Sequence, residues 1–347
     1  MKKKCLGCGI ELQDSNPSQP GYVKNLEQDY CQRCFRLTHY NDLTIDMKNA
    51  ISRKEVIDEI IKIDGLFIFV VDVMNVEASL SKDILNALKG KPVCVVINKL
   101  DILPYNVNFE KVDKYLNQIV HTRLKGLNLV DVLLTQKHDP NFNDLFFETL
   151  SNNDFEKIIF VGNVNSGKST ILNKLIGNNT LTVSRFPSTT LAFNEINVNG
   201  YKFIDTPGLI DDYSLIMRVK EKDIKKILID RTVKPVIFQL HEPQSYFIEG
   251  LVQIDAYPKG KSASLIYYVN PLLDIHRTKI TNAEYYFKKH QDEFSLKMED
   301  PHQYQFILKE DCDVIINGLG IITAKGIKEL MITTNDKIDI TIRKTVF

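Results

Sequence analysis

The sequence has no net charge, no apolar run long enough to cross a bilayer, and no hydrophobic segment behind its basic start. Lys plus Arg and Asp plus Glu both total 44, so bulk charge argues neither for nor against a nucleic-acid partner. Any basic face must be local. A helical span needs about 18 consecutive apolar residues. The strongest run here, Leu66 to Val71, is closed by Asp72 and fits a buried strand better. Met1-Lys2-Lys3-Lys4 looks like the start of a signal peptide, yet no apolar segment follows it. These absences predict no membrane partner and a cytoplasmic protein whose cysteines stay reduced. At 347 residues, with 44% hydrophobic and 25% charged, the chain can build two or three domains with real cores.

Four of the six cysteines fall in two pairs, Cys5-Leu6-Gly7-Cys8 and Cys31-Gln32-Arg33-Cys34, with 22 residues (9–30) between them. Two such knuckles predict a closed four-thiolate Zn²⁺ site with Cys5, Cys8, Cys31 and Cys34 as ligands. A closed site leaves no coordination position open, so its metal is expected to be structural. The polar segment between the knuckles has too little core to fold alone, and metal binding would supply much of its folding free energy. The other reading is a redox-active dithiol pair, but no thioredoxin-like pattern surrounds it. Cys94, inside the apolar run Val93–Ile97, and Cys312 stand alone and are expected to be packing residues.

Residues 54–64 have helical spacing, Leu66–Val71 reads as a strand, Asp83–Leu88 as helix and Pro92–Ile97 as a second buried strand. Strands alternating with helices predict a doubly wound, mostly parallel α/β sheet, with ligands beyond the carboxyl ends of the strands. Asn98-Lys99-Leu100-Asp101 falls at one of those ends. Guanine offers two adjacent donors, N1–H and the N2 amino group, and the Asp101 carboxylate can accept both. Adenine lacks that pair. Asn98 would tie the loop together, and the stem of Lys99 would cover the base. Val130–Thr135 reads as the next strand, and Thr135-Gln136-Lys137 sits where a base-supporting loop belongs.

Lys157–Val161 is an apolar strand, Gly162-Asn163-Val164-Asn165-Ser166-Gly167-Lys168-Ser169 matches G-x-x-x-x-G-K-[ST], and Thr170–Ile176 continues as helix. Backbone amides from Asn163 to Thr170 would close around phosphates at the helix N-terminus. Lys168 would neutralise the β- and γ-phosphates, and the Ser169 hydroxyl would ligate Mg²⁺. Asp205-Thr206-Pro207-Gly208 follows the strand Tyr201–Ile204. There Asp205 would hold Mg²⁺ through water, and the Gly208 amide would meet the γ-phosphate. In Pro187-Ser188-Thr189-Thr190 a threonine should close over Mg²⁺. Thr190 is favoured, with Thr189 left open.

The order of these motifs is unusual. In an ordinary GTPase the phosphate loop precedes the guanine motif; here it follows it, which predicts a circularly permuted GTPase binding GTP and GDP. Leu209 and Ile210 stand after Gly208, where many GTPases place a glutamine that orients water, so slow intrinsic hydrolysis is expected. Asn165 occupies a loop position used by potassium-activated GTPases. K⁺ held there, together with Lys168 and Thr190, would make up the catalytic group.

From about Val233 the pattern changes to short strands, at Val236–Leu240, Leu251–Ala256, Ser264–Val269, Cys312–Ile316 and Lys337–Ile342, with another after Gly318-Leu319-Gly320. A helical insertion is expected around Ala283–Gln291. Scattered aromatics and lysines could stack on single-stranded RNA, or the domain could simply have a solvated face. The expected division is a zinc module at 1–45, a permuted GTPase domain at 46–232 and a β-rich domain at 233–347.

The zinc knuckles, Asn98–Asp101, the phosphate loop and Asp205–Gly208, in that order, resemble the YqeH family of circularly permuted GTPases. The run Cys31 to Tyr40 is especially similar to that family's second knuckle. The Thr135–Lys137 loop and Pro187–Thr190 depart from the family's pattern. The resemblance implies a factor in assembly of the small ribosomal subunit, partnered by that subunit or its rRNA through the β-rich domain. Two other readings stay open: a zinc- and RNA-binding scaffold whose nucleotide site is only structural, and a regulatory GTPase of a non-ribosomal partner.

Overall fold

Six consecutive apolar residues, Leu66 to Val71, cannot sit on a half-solvated sheet; they demand cover on both faces. In the computed structural model they lie in β1 (Leu66–Asp72), at the middle of a six-stranded sheet, with Leu66 to Val71 fully buried. The structure describes residues 3–5, 10–16, 19, 21–31, 52–177, 193–220 and 223–347. Contacts group the chain into two units, Met1–Asp101 with Leu116–Asp211, and Ile102–Tyr115 with Asp212–Phe347.

In the first unit α1 (Arg53–Lys62) precedes β1. Its start is fixed by a capping box: Ser52 Oγ accepts from the Glu55 amide, and Glu55 accepts from the Ser52 amide. Val56 and Ile60 form its buried face. Then come the short helices α2 (Val76–Ser79) and α3 (Lys82–Ala87), and the strand β2 (Pro92–Asn98). Helix α4 (Phe109–Arg123), with residues in both units, leads to β3 (Asn128–Leu134) and α5 (Phe142–Ser151). After β4 (Lys157–Gly162) and α6 (Lys168–Ile176), β5 (Asn194–Val198) and β6 (Tyr201–Asp205) complete the sheet. The order is β3-β2-β1-β4-β6-β5, parallel except for β5.

The expected doubly wound, mostly parallel sheet is therefore present. The order in which strands are added reverses between the parallel neighbours β1 and β4, and the crevice beyond their carboxyl ends is where such sheets bind ligands. On one side Phe142, Phe146, Phe160 and Phe203 pack in tilted, stacked and edge-to-face pairs, with centroids 5.2–6.2 Å apart. That cluster locks α5 onto β4 and β6. Among the described residues no helix is long and apolar enough to cross a membrane.

The second unit is antiparallel β. After α7 (Ile224–Ile227), one sheet has the order β16-β13-β14-β10-β7 and the other β11-β8-β9-β15-β12. The first comprises β7 (Val236–Leu240), β10 (Ala263–Val269), β13 (Cys312–Ile316), β14 (Gly320–Lys325) and β16 (Ile340–Lys344). The second comprises β8 (Gln244–Ile248), β9 (Val252–Pro258), β11 (Ile275–Lys279), β12 (Pro301–Ile307) and β15 (Ile327–Asn335). Leu265, Tyr267, Val314 and Ile322 from one sheet and Tyr246, Ile254, Leu330 and Ile332 from the other share a single core. Helix α8 (Ile280–His290) connects β11 to the stretch before β12. Ile102 joins this unit through its carbonyl, which accepts from the Val233 amide at 2.9 Å.

Candidate nucleotide site

The four motifs all lie at the carboxyl edge of the sheet: the guanine motif after β2, Thr135–Lys137 after β3, the phosphate loop after β4, and Asp205 at the end of β6. The phosphate loop needs glycine twice. At Gly162 a Cβ would lie 2.5 Å from the Val70 carbonyl oxygen of β1. Gly167 has φ +90°, and a Cβ there would run into the Asn98 side-chain amide. That close approach carries a bond: Asn98 Nδ2 donates to the Ser166 carbonyl at 3.0 Å. The guanine motif and the phosphate loop, 68 residues apart in sequence, are tied directly.

Lys168 and Asp205 form a buried ion pair, the two residues being 6% and 1% exposed. The ammonium expected on phosphate and the carboxylate expected on Mg²⁺ thus share one place. Asp205 is positioned by its neighbour, because the Thr206 hydroxyl and amide both donate to the Phe160 carbonyl of β4, at 2.8 and 3.3 Å. The segment beyond it is laddered onto the phosphate loop. The Leu209 amide donates to the Gly162 carbonyl and the Val164 amide to the Leu209 carbonyl, both at 3.0 Å. A Cβ on Gly208 would stand 3.0 Å from Val164 Cγ2, so this chain passes tightly over the loop.

Within the loop Asn165 adopts φ +66°, and both polar atoms of its side chain are buried without a hydrogen-bond partner; so is Ser166 Oγ. Orphaned oxygens of this kind are costly unless something else satisfies them. Ser169 and Thr170 are half-buried at the start of α6. Thr189 and Thr190 lie outside the described residues.

On the base side, Asp101 Oδ1 accepts from the Lys137 amide at 3.1 Å. The Leu100 amide donates to Thr135 O at 3.2 Å and the Thr135 amide to Ile97 O at 2.8 Å. The Thr135–Lys137 loop therefore supports the guanine motif although it lacks the usual sequence. Lys99 has φ +68°, and its ammonium pairs with Asp72 Oδ2 at 2.6 Å. Asp72 at the end of β1, which the sequence did not single out, also caps the Met74 amide at 2.9 Å.

Cys5 and Cys31, the first cysteine of each knuckle, are buried together with Leu12 and Val23, and the Cys31 amide donates to Cys5 Sγ at 3.1 Å. An amide aimed at sulfur suits a thiolate donor set for Zn²⁺. Cys8 and Cys34 lie outside the described residues. Among the described residues no three His, Cys, Asp or Glu side chains gather as a metal group. Cys94 and Cys312 are buried away from this cluster. Burial raises the Cys94 thiol far above its ordinary range and, with the nearby Asp313, brings Cys312 to about 11, so both are inert packing groups.

A phosphate loop between β4 and α6, a guanine motif bonded to it, and an Asp-x-x-Gly segment laddered over it define a P-loop GTPase whose motifs run in permuted order. Residues 157–269 match a family model described as a 50S ribosome-binding GTPase. Residues 262–346 match one described as YqeH-like, C-terminal. Over 93% of its own length and 93% of the other's, the chain is 29% identical to the uncharacterized protein YqeH of Bacillus subtilis. It is 23% identical to the chloroplastic/mitochondrial NO-associated protein 1 of Arabidopsis thaliana, covering 82% of this chain and 60% of that one. GTPase Der of Mycoplasma mycoides is 31% identical over 57% of this chain and 47% of its own. The chain is a GTPase whose C-terminal region is YqeH-like.

Proposed function

We propose that this GTPase is a molecular switch in assembly of the small ribosomal subunit. The observation that carries the switch reading is the bonded meeting of Asn98, the phosphate loop and Leu209 at one sheet edge. Asp101 reads guanine, the amides from Asn163 to Thr170 cradle the phosphates, and Lys168 offsets their charge. Mg²⁺ would be held by Ser169, Asp205 and Thr190, and would neutralise charge between the β- and γ-phosphates. The Gly208 amide meets the γ-phosphate. With Leu209 and Ile210 after it, no side chain there orients the water, and turnover is slow. The unsatisfied Asn165 oxygen supports a K⁺ site against the phosphates.

The zinc module at 1–45 is stabilised by Zn²⁺ on Cys5, Cys8, Cys31 and Cys34, which the Cys5–Cys31 pairing supports. The GTPase domain occupies 46–232 and the β-rich domain 233–347, the latter binding rRNA in the cytoplasm. The resemblance to the YqeH family supports the small subunit, whereas the description of the matched GTPase model names the 50S particle for that family.

Co-sedimentation with separated 30S and 50S subunits, with GDP or a non-hydrolysable GTP analogue, tests the reading. Analogue-dependent association with 30S is expected. Association with 50S alone would reassign the partner, and association with neither would leave the GTPase and remove the ribosome.

A further inference from the structure

Arg53, the first residue of α1, meets both parts of the nucleotide site although it belongs to none of the motifs. Its side chain is 17% exposed. Nε and Nη2 grip Asp83 as a fork, at 2.6 and 3.0 Å, and Nη2 also donates to Ser81 Oγ at 2.7 Å. Nη1 donates to Asn163 Oδ1 of the phosphate loop at 3.2 Å and to the Ile210 carbonyl at 3.1 Å. All five N–H donors of the guanidinium thereby have acceptors. The fork holds the Asp83 carboxyl well below the usual carboxylate range, with Ser81 adding to it, so Asp83 stays an anion and the fork stays fixed.

The topology explains why such a residue is needed. β6 and β1 are the two neighbours of β4, and α1 leads into β1. In the permuted order no chain joins the end of the Asp205–Gly208 segment to α1: Ile210 and Arg53 lie 157 residues apart. We propose that Arg53 is a positioning residue for GTP hydrolysis that replaces this missing connection, holding Ile210 against the phosphate loop so that the Gly208 amide is aligned on the γ-phosphate. The inference rests on the nucleotide site proposed above.

Only Leu209 separates Ile210 from Gly208, while Arg53 reaches the phosphate loop through the Asn163 side chain and bonds neither a loop amide nor Lys168. Loss of the Nη1 arm therefore acts on the γ-phosphate step and leaves diphosphate binding alone. Arg53→Ala removes the whole fork. Arg53→Lys keeps a cation for Asp83 and Ser81 but has no planar second arm for Asn163 and Ile210.

Steady-state GTP turnover, GDP affinity and thermal melting are measured for both variants beside the wild type. Both should lose about 10- to 100-fold in kcat, as expected for a misplaced reacting group. GDP affinity should stay within about threefold. Arg53→Lys should melt close to the wild type, which keeps the test valid if Arg53→Ala folds poorly. Wild-type kcat in Arg53→Lys, or a parallel loss of GDP and GTP-analogue affinity in a folded variant, overturns the proposal. A wild type that binds no guanine nucleotide overturns the site reading and this inference together. A wild type that turns over GTP beside unaffected variants overturns this inference alone.

Discussion

Replacing Lys168 with alanine should do two separable things, because Lys168 is half of a buried ion pair and, in the site proposed above, also the phosphate cation. Asp205 is 1% exposed, and removing its ammonium leaves a desolvated carboxylate without that partner. Breaking a buried pair from one side costs about 3–5 kcal/mol. Asp205 makes further interactions, so the lower end applies, about 3 kcal/mol. For a unit of this size that is roughly a 6–12 °C fall in Tm without nucleotide. Adding Asp205→Asn removes the stranded charge, so the double variant should be more stable than the two single losses added together. Nucleotide provides the second readout. At a hundredfold excess over Kd the wild type gains about 2.7 kcal/mol, and Lys168→Ala should gain none. The assay is thermal unfolding of four chains, each with and without GTP and Mg²⁺. Lys168→Ala melting with the wild type would refute the argument about the buried pair. The same GTP-induced rise in that variant would refute the site assignment.

Other outcomes follow from the same geometry. Asp101→Asn offers guanine a donor where an acceptor is needed, and GTP affinity should fall about 10- to 100-fold, read by titration with a fluorescent analogue; unchanged affinity would mean that Asp101 does not read the base. If the buried Asn165 oxygen serves a cation, turnover in K⁺ should exceed turnover in Na⁺ several-fold and the difference should vanish in Asn165→Ala; equal rates in the two salts would end that idea. Cys5→Ser should lower bound zinc and destabilise the N-terminal module, whereas Cys94→Ser and Cys312→Ser should leave zinc content unchanged, as measured by metal analysis of purified protein.

The strands that position the nucleotide were readable because nothing else explains them. Continuous apolar runs such as Leu66–Val71 and Val93–Ile97 are buried on both faces, and glycines at 162 and 167 are fixed by a near neighbour. What failed to show in sequence failed for physical reasons. Both edges of the second β-sheet were missed: β11 is Ile-His-Arg-Thr-Lys and β12 opens on Pro301, each polar and largely exposed as unpaired edges are. β15 alternates buried and open positions but carries Lys328, Glu329 and Leu330, a composition as suited to helix. Between Lys337 and Ile342 the strand begins three residues later than its apolar alternation suggested, at Ile340, because Lys337 takes φ +61°. Arg53 and Asp72 carry no motif at all. Their roles depend on residues brought together by the fold, and the capping box Ser52-x-x-Glu55 beside Arg53 marks only where α1 begins.

The permuted order has a mechanical consequence at the end of the first unit. In this chain Gly208 is followed by three residues, Leu209, Ile210 and Asp211, before the second unit begins at Asp212. Two of those three are held by named bonds: Leu209 by the Gly162 carbonyl and Val164 amide, Ile210 by Arg53. A shift of the Gly208 amide toward a γ-phosphate has no long flexible stretch in which to be absorbed. It must either break the Leu209 ladder or carry Ile210 with it. A ligand changes the balance between two such arrangements only as far as it binds them unequally. In the site proposed above, GTP would differ from GDP by one phosphoryl group met at Gly208, and three residues separate that glycine from Asp212. If the β-rich domain binds RNA, Arg53→Lys should then weaken the dependence of that binding on nucleotide while leaving RNA affinity in the GDP state intact. RNA affinity that responds to GTP equally in Arg53→Lys and the wild type would place the coupling elsewhere in the chain.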